Sequence, residues 1–175
     1  MITKGRNGKN QTGFTLIEVM IAAVVLSIAL LGFMALVPTV AQLSETAGES
    51  NAALAASHQL SEAIRQYADS DFGYVYRAYN SATTDDPNGT GTAPGATFTV
   101  SGLPTAVGTV TFYTDENENE PKVGLPNRDL NNNGLTTDAD VSADYTVLPF
   151  KITVTWSDQR KLQQQTEIFS QVIDY

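Results

Sequence analysis

Residues Gly13–Val37 read GFTLIEVMIAAVVLSIALLGFMALV, and this stretch decides how the rest of the chain is read. From Val19 to Val37 only Ser27 and Gly32 interrupt the apolar run. A membrane-spanning helix needs about 20 such residues. A soluble core helix shows a polar face, and this segment has none. Yet Glu18 stands just inside its start, where an ionisable side chain is costly and usually functional.

Charge adds an orientation. Lys4, Arg6 and Lys9 precede the run and no acid does. The positive-inside rule therefore expects residues 1–13 in the cytoplasm and the bulk of the chain outside. Beyond residue 13 there are seven basic residues against 19 acidic ones, a balance of −12 within a net charge of −9. Such a body repels phosphates, which argues against nucleic acid as a partner. It suits a solvated surface or a cation ligand. The chain has no cysteine, so disulfides, thiolate metal sites and cysteine nucleophiles are excluded.

Two ordinary explanations of the N-terminus compete. A secretory signal peptide has an apolar region of about 7–15 residues followed by a small-residue cleavage site. This run is longer, and its glycine precedes it. A plain membrane anchor leaves Glu18 without a reason.

The residues carry a third reading. A short basic leader, Gly13, then Phe14-Thr15-Leu16-Ile17-Glu18-Val19-Met20-Ile21 resembles the N-terminus of type IV pilins and type II secretion pseudopilins. The resemblance covers residues 13–37. It implies cleavage by a prepilin peptidase between Gly13 and Phe14, and N-methylation of the new Phe14 amine. Glu18 falls where the family has its glutamate, the fifth residue of the mature chain. The Leu30-Leu31-Gly32 run looks most like the minor subunits near a filament tip. The physical reason for Glu18 then follows. When subunits stack, the Phe14 ammonium and the Glu18 carboxylate would both be buried, and pairing offsets much of the cost of burying each. Gly13, lacking a side chain, admits close approach of a peptidase.

After Pro38 the helical pattern resumes, with Leu43, Ala47, Leu54, Leu60, Ile64 and Tyr67 at roughly 3–4 spacing. One helix, kinked at Pro38, is expected from about Thr15 to about Tyr67, roughly 80 Å long. Residues 14–37 would be the transmembrane and filament-core half, and 38–68 its amphipathic continuation. His58 is the only histidine and reads as an ordinary helix residue. Tyr74, Tyr76 and Tyr79 follow, either covering a sheet edge or contacting a partner. Asn88-Gly89-Thr90 reads as a turn rather than a glycosylation site.

Alternating patterns place strands near 96–101, 108–114, 145–156 and 161–173 of a globular domain over 69–175. Phe150, Ile152, Val154 and Trp156 share one face. The fold class is therefore α+β: a pilin-like roll, in which a long N-terminal helix packs on a roughly four-stranded antiparallel sheet.

An acidic insertion occupies 115–144. Within it Asp129-Leu130-Asn131-Asn132-Asn133-Gly134 fits the D-x-[DN]-x-[DN]-G start of an EF-hand-type loop. The register continues through Leu135 (by its carbonyl), Thr137 and Asp140 at position 12, where aspartate resembles dockerin-type modules. Asp129, Asn131, Asn133, Leu135, Thr137 and Asp140 are thus candidate Ca2+ ligands, with Asp138, Asp144, Asp115, Asn117 and Asn119 in reserve. Neutral Asn ligands predict weak binding, with Kd about 10⁻⁴–10⁻³ M. A metal-free turn-rich loop explains the same letters.

These readings converge on a structural subunit, not an enzyme, of a type II secretion pseudopilus or type IV pilus. Its expected partners are other subunits, the prepilin peptidase, an inner-membrane assembly platform and, before assembly, lipid. It would sit in the inner membrane with its N-terminus cytoplasmic and its globular domain periplasmic or extracellular. A calcium-dependent binding module on a pilin-like stalk is the alternative. A membrane-anchored hydrolase lacks G-x-S-x-G, H-E-x-x-H or any second histidine.

Overall fold

In a computed structural model of the chain, residues 15–80, 95–158 and 161–175 are described. The chain forms two units, Met1–Glu45 and Thr46–Tyr175. A single helix, α1, spans Leu16–Asp71 with Pro38 inside it. Through the first unit its side chains are exposed: Leu16, Ile28, Leu31, Phe33 and Met34 each keep at least 65% of their surface.

In the second unit α1 packs on a four-stranded antiparallel sheet, the α+β layout expected. A 3-10 turn, Phe72–Tyr74, follows α1 and leads into the short helix α2, Val75–Tyr79. The strands are β1 (Thr97–Val100), β2 (Leu103–Phe112), β3 (Val147–Ser157) and β4 (Gln163–Ile173), in the order β1-β2-β3-β4. Each neighbouring pair is antiparallel, with Val110 opposite Ile152 and Phe112 opposite Phe150.

The helix face that meets the sheet follows the expected stripe at Leu60, Ile64 and Tyr67 but departs from it earlier in α1, where Ala53, Ser57 and Ser61 are buried and Leu43 and Leu54 are exposed. Small residues let the helix axis approach the sheet, and the Ser57 hydroxyl donates to the Ala53 carbonyl (2.9 Å), so its burial leaves no orphan. From the sheet, Phe150, Ile152, Val154 and Trp156 point into the core, the face that alternation assigns them. Each such apolar side chain contributes about 1.5–3 kcal/mol by leaving water. Trp156 also donates its indole N–H to Glu49 on α1 (3.1 Å).

Strand β2 begins at Leu103, five residues before the alternation that starts at Gly108. Gly102, with φ +84°, makes the reversal after β1 so tight that Val100 pairs with Leu103. Ser101 and Gly102 therefore form a turn of two residues. At the other hairpin Asp158 accepts from the Leu162 N–H (2.9 Å) and so closes the β3–β4 connection. Of the three tyrosines after α1, Tyr79 is buried, Tyr76 packs edge-on against Phe112 and Tyr74 is exposed beneath Arg77.

Candidate functional site

Gly13 and Phe14, the expected processing site, lie outside the described residues. Glu18, the expected assembly residue, stands in the first turn of α1. Its backbone N–H donates to the Thr15 carbonyl (3.1 Å) and to the Thr15 hydroxyl (3.4 Å). Thr15-x-x-Glu18 thus has the spacing of a capping box, and a carboxylate here also favours the positive end of the helix dipole. Behind it runs the one described helix long and apolar enough to cross a membrane, its most apolar window wholly unburied in the protein itself. Side chains this apolar and this exposed need lipid or neighbouring helices.

The insertion between β2 and β3 is closed by main-chain pairs. Glu116 N–H donates to the Asp138 carbonyl, Val141 N–H to Thr114, and Thr146 and Val147 N–H to Leu130, all within 2.8–2.9 Å. Val123, Leu125, Leu130 and Val141 join the core beneath it. Tyr145 anchors the far end, donating its hydroxyl to the Phe72 carbonyl (2.7 Å) and accepting from the Tyr76 N–H (3.2 Å).

At the centre stands Glu116, fully buried. Its two carboxylate oxygens accept from the N–H groups of Leu130 (2.6 Å) and Asp138 (3.1 Å). No motif singles out Glu116; it is one acid among several in Asp115–Glu120, and only the fold turns it inward.

Above Glu116 lie the expected calcium ligands. Asp129 accepts from the N–H of Gly134 (2.8 Å) and of Asn133 (3.3 Å). Asn131 accepts from Asn133 N–H (3.3 Å), and Asn133 from Leu135 N–H (2.7 Å). These nested turns place Gly134 at φ +86°, as the loop's sharp bend requires. The amide groups of Asn131 and Asn133 donate to Asp138 (3.3 and 2.6 Å), and Asn131 also donates to Asp144 (3.1 Å). The loop therefore gathers Asp129, Asn131 and Asn133 with Asp138 and Asp144.

Asp140 instead accepts from Ser142 N–H (2.9 Å), a bond that lowers its carboxyl pKa. Leu135 is exposed, and the Thr137 carbonyl accepts from the Asn117 amide (2.9 Å). Asp115 accepts from the Asn117 N–H (2.8 Å). Among the described residues no group of three or more His, Cys, Asp or Glu side chains stands within metal-holding distance, because neutral amides separate the carboxylates.

Tyr113, at the entrance to the insertion, is buried with its hydroxyl 3.4 Å from Glu120. Burial first, then the charges of Glu120, Glu118 and Glu167, push its pKa up to about 12 from 10.0. The native chain therefore holds this proton more tightly than the unfolded chain does. The resulting stability is fully present below pH 10 and is lost as pH rises through 12. Burial raises Tyr79 and Tyr145 in the same direction. Urea midpoints are expected to hold to about pH 10 and then fall, and to fall less steeply in Tyr113→Phe.

Comparison with known families accounts for the N-terminal segment. A model described as the prokaryotic N-terminal methylation motif matches residues 8–34. That motif is the hallmark of the prepilin-type signal of type IV pilins and pseudopilins, and the chain carries it. It supports a pilin-like or pseudopilin subunit, processed by a prepilin peptidase, with a structural rather than enzymatic role. Together with the apolar helix it fits a single-pass membrane anchor. No curated protein and no solved structure compared with the chain matches it.

Proposed function

We propose that the chain is a structural subunit of a type II secretion pseudopilus or a type IV pilus. The methylation motif over residues 8–34 carries this reading. In it the peptidase cleaves between Gly13 and Phe14, and the Phe14 amine is methylated. The basic leader stays cytoplasmic and the globular unit is delivered outside the inner membrane. The apolar part of α1 rests in lipid until an assembly platform transfers it to a helical core shared with other subunits. There the Glu18 carboxylate meets the Phe14 ammonium of a neighbour and sets the axial register. The intact mass of the chain from membranes tests the proposal. Loss of residues 1–13 with gain of one methyl group, only when the peptidase is present, supports it. A full-length chain, or one trimmed elsewhere, overturns it.

We further propose that the insertion holds Ca2+. The support is the donor chemistry: the side-chain oxygens of Asp129, Asn131, Asn133, Asp138 and Asp144 belong to one hydrogen-bonded loop, and amide N–H groups occupy the places where the Asp138 and Asp144 carboxylates would take positive charge. Bound Ca2+ would supply that charge and pin the loop against the core. With Kd about 10⁻⁴–10⁻³ M, about 5 mM Ca2+ should add roughly 1–2 kcal/mol of stability. Thermal unfolding of the solubilised chain with Ca2+ and with EGTA measures this, and Asp138→Asn should abolish most of the difference. Equal melting in both buffers would leave a metal-free loop.

A further inference from the structure

Only seven basic residues lie beyond residue 13. Three of them, Arg65, Lys122 and Arg128, line a single groove of about 460 Å3, with Phe169, Ser170 and Gln171 of β4 beneath them. They come from α1, the start of the insertion and its middle, so the concentration is a product of the fold. Strand β4 is an edge of the sheet, and among the described residues no strand takes the main-chain groups on its outer side.

The cations are held in place. Arg65 donates to Glu62 (3.0 Å) and Ser170 (2.9 Å), leaving half of its side-chain surface open. Lys122 lies 4.4 Å from the Phe169 ring centroid and 3.6 Å from Glu167, with its side chain 61% exposed. Arg128 donates to the Val123 carbonyl (2.7 Å) and the Gln171 side chain (2.6 Å), both neutral. Among the described residues Arg128 has no carboxylate partner. A guanidinium fixed by neutral acceptors retains further N–H donors and its full charge for an anionic guest.

The complementary surface is in the same chain. Residues 129–144 contain Asp129, Asp138, Asp140 and Asp144 and no basic residue. None of the four is in an ion pair among the described residues, and Asp140 and Asp144 are exposed. A folded acidic loop that presents Asp140 and Asp144 to solvent, with Asp129 and Asp138 half-buried behind them, is opposite in charge to a groove of three cations along a strand edge.

We propose that this groove receives the 129–144 acidic tract of a second copy of the chain. The contact joins two different surfaces, so it is heterologous and can repeat from copy to copy along a filament. This rests on the reading of the chain as a filament subunit and adds an inter-subunit contact through the globular unit.

Because the chain has no cysteine, engineered disulfides report the contact directly. Two differently tagged full-length copies, one Lys122→Cys and one Ala139→Cys, are expressed together with the peptidase and oxidised in membranes under EGTA. Ala139→Cys keeps all four carboxylates. The expected result is a mixed disulfide dimer at least about fivefold above a Lys122→Cys and Thr97→Cys control pair, Thr97 being exposed on the opposite sheet edge. Adding Asp140→Asn and Asp144→Asn to the Ala139→Cys copy should cut the yield about fivefold, as should high salt. A yield at the control level, or one indifferent to the loss of both carboxylates, overturns the proposal; so does capture of Lys122→Cys only by a different protein. Intact masses of the same samples separate the two readings. Processed, methylated chain without the mixed dimer overturns the docking alone. Unprocessed chain with the dimer overturns the filament reading alone, and unprocessed chain without it overturns both.

Discussion

A Glu18→Gln chain is expected to lose residues 1–13 and gain its methyl group, yet fail to enter filaments. In the structure Glu18 occupies a capping position, its N–H bonded to Thr15. Glutamine serves such a box as well as glutamate does, so the start of α1 should survive the change. What glutamine cannot supply is negative charge for a buried ammonium. Removing one partner of a buried ion pair costs about 3–5 kcal/mol, because the other charge is stranded. At 1.4 kcal/mol per factor of ten, that weakens subunit association by about a hundred- to several-thousand-fold. The fraction of processed chain that sediments as filament reads this out, beside Glu18→Ala. If Glu18→Gln assembles normally and Glu18→Ala does not, the residue acts as a helix cap and the register pairing is wrong.

A Glu116→Gln chain should lose the closed form of the insertion. The buried carboxylate takes one N–H from Leu130 and one from Asp138, segments 14 and 22 residues downstream. Bonds from backbone N–H to an ionised oxygen are worth about 1.5–3 kcal/mol each. Glutamine keeps one acceptor and turns an NH2 toward the other N–H, leaving a donor facing a donor out of reach of water. A loss of about 2–4 kcal/mol follows, a fall of roughly 5–15 °C in Tm. Thermal unfolding followed by circular dichroism on the solubilised chain measures it, with Glu118→Gln, an exposed acid nearby, as a control expected within about 0.5 kcal/mol of the native chain. Because Glu116 holds both Leu130 and Asp138, the same change should remove the response to Ca2+. Melting unchanged in Glu116→Gln would mean the insertion is held by its apolar residues alone.

These two glutamates also mark how far sequence reading reaches. Glu18 is legible because its meaning is local: a basic leader and a glycine precede it and an apolar run follows it directly. The strand faces are legible for the same reason. Alternation at period two puts Phe150, Ile152, Val154 and Trp156 on one side, and burial follows. The helix face is legible only in part: Leu60, Ile64 and Tyr67 of the apolar stripe meet the core, while one or two turns earlier close packing selects Ala53, Ser57 and Ser61, residues too small to register as a hydrophobic stripe.

Within the acidic insertion the spacing Asp-x-Asn-x-Asn-Gly foretells the turn through Gly134, because an Asx side chain bonds the main-chain N–H two residues on. It places Asp140 in the loop by register, whereas the fold sets Asp140 against Ser142 and brings Asp138 and Asp144 to the amides instead. Where the chain turns after Gly134 depends on Leu130 and Val141 entering the core, and no local pattern carries that information.

From sequence alone came the signal at the N-terminus, the apolar helix, the positions of the four strands along the chain and the existence of an acidic loop. All of these arise from residues that act on near neighbours through helical or strand periodicity and main-chain chemistry. Tertiary structure alone decided that Glu116 is buried, which aspartates share the loop, and that Arg65, Lys122 and Arg128 meet over β4. Each of those depends on groups far apart in the chain. Their desolvation and pairing have no value until the sheet, the helix and the insertion have packed together.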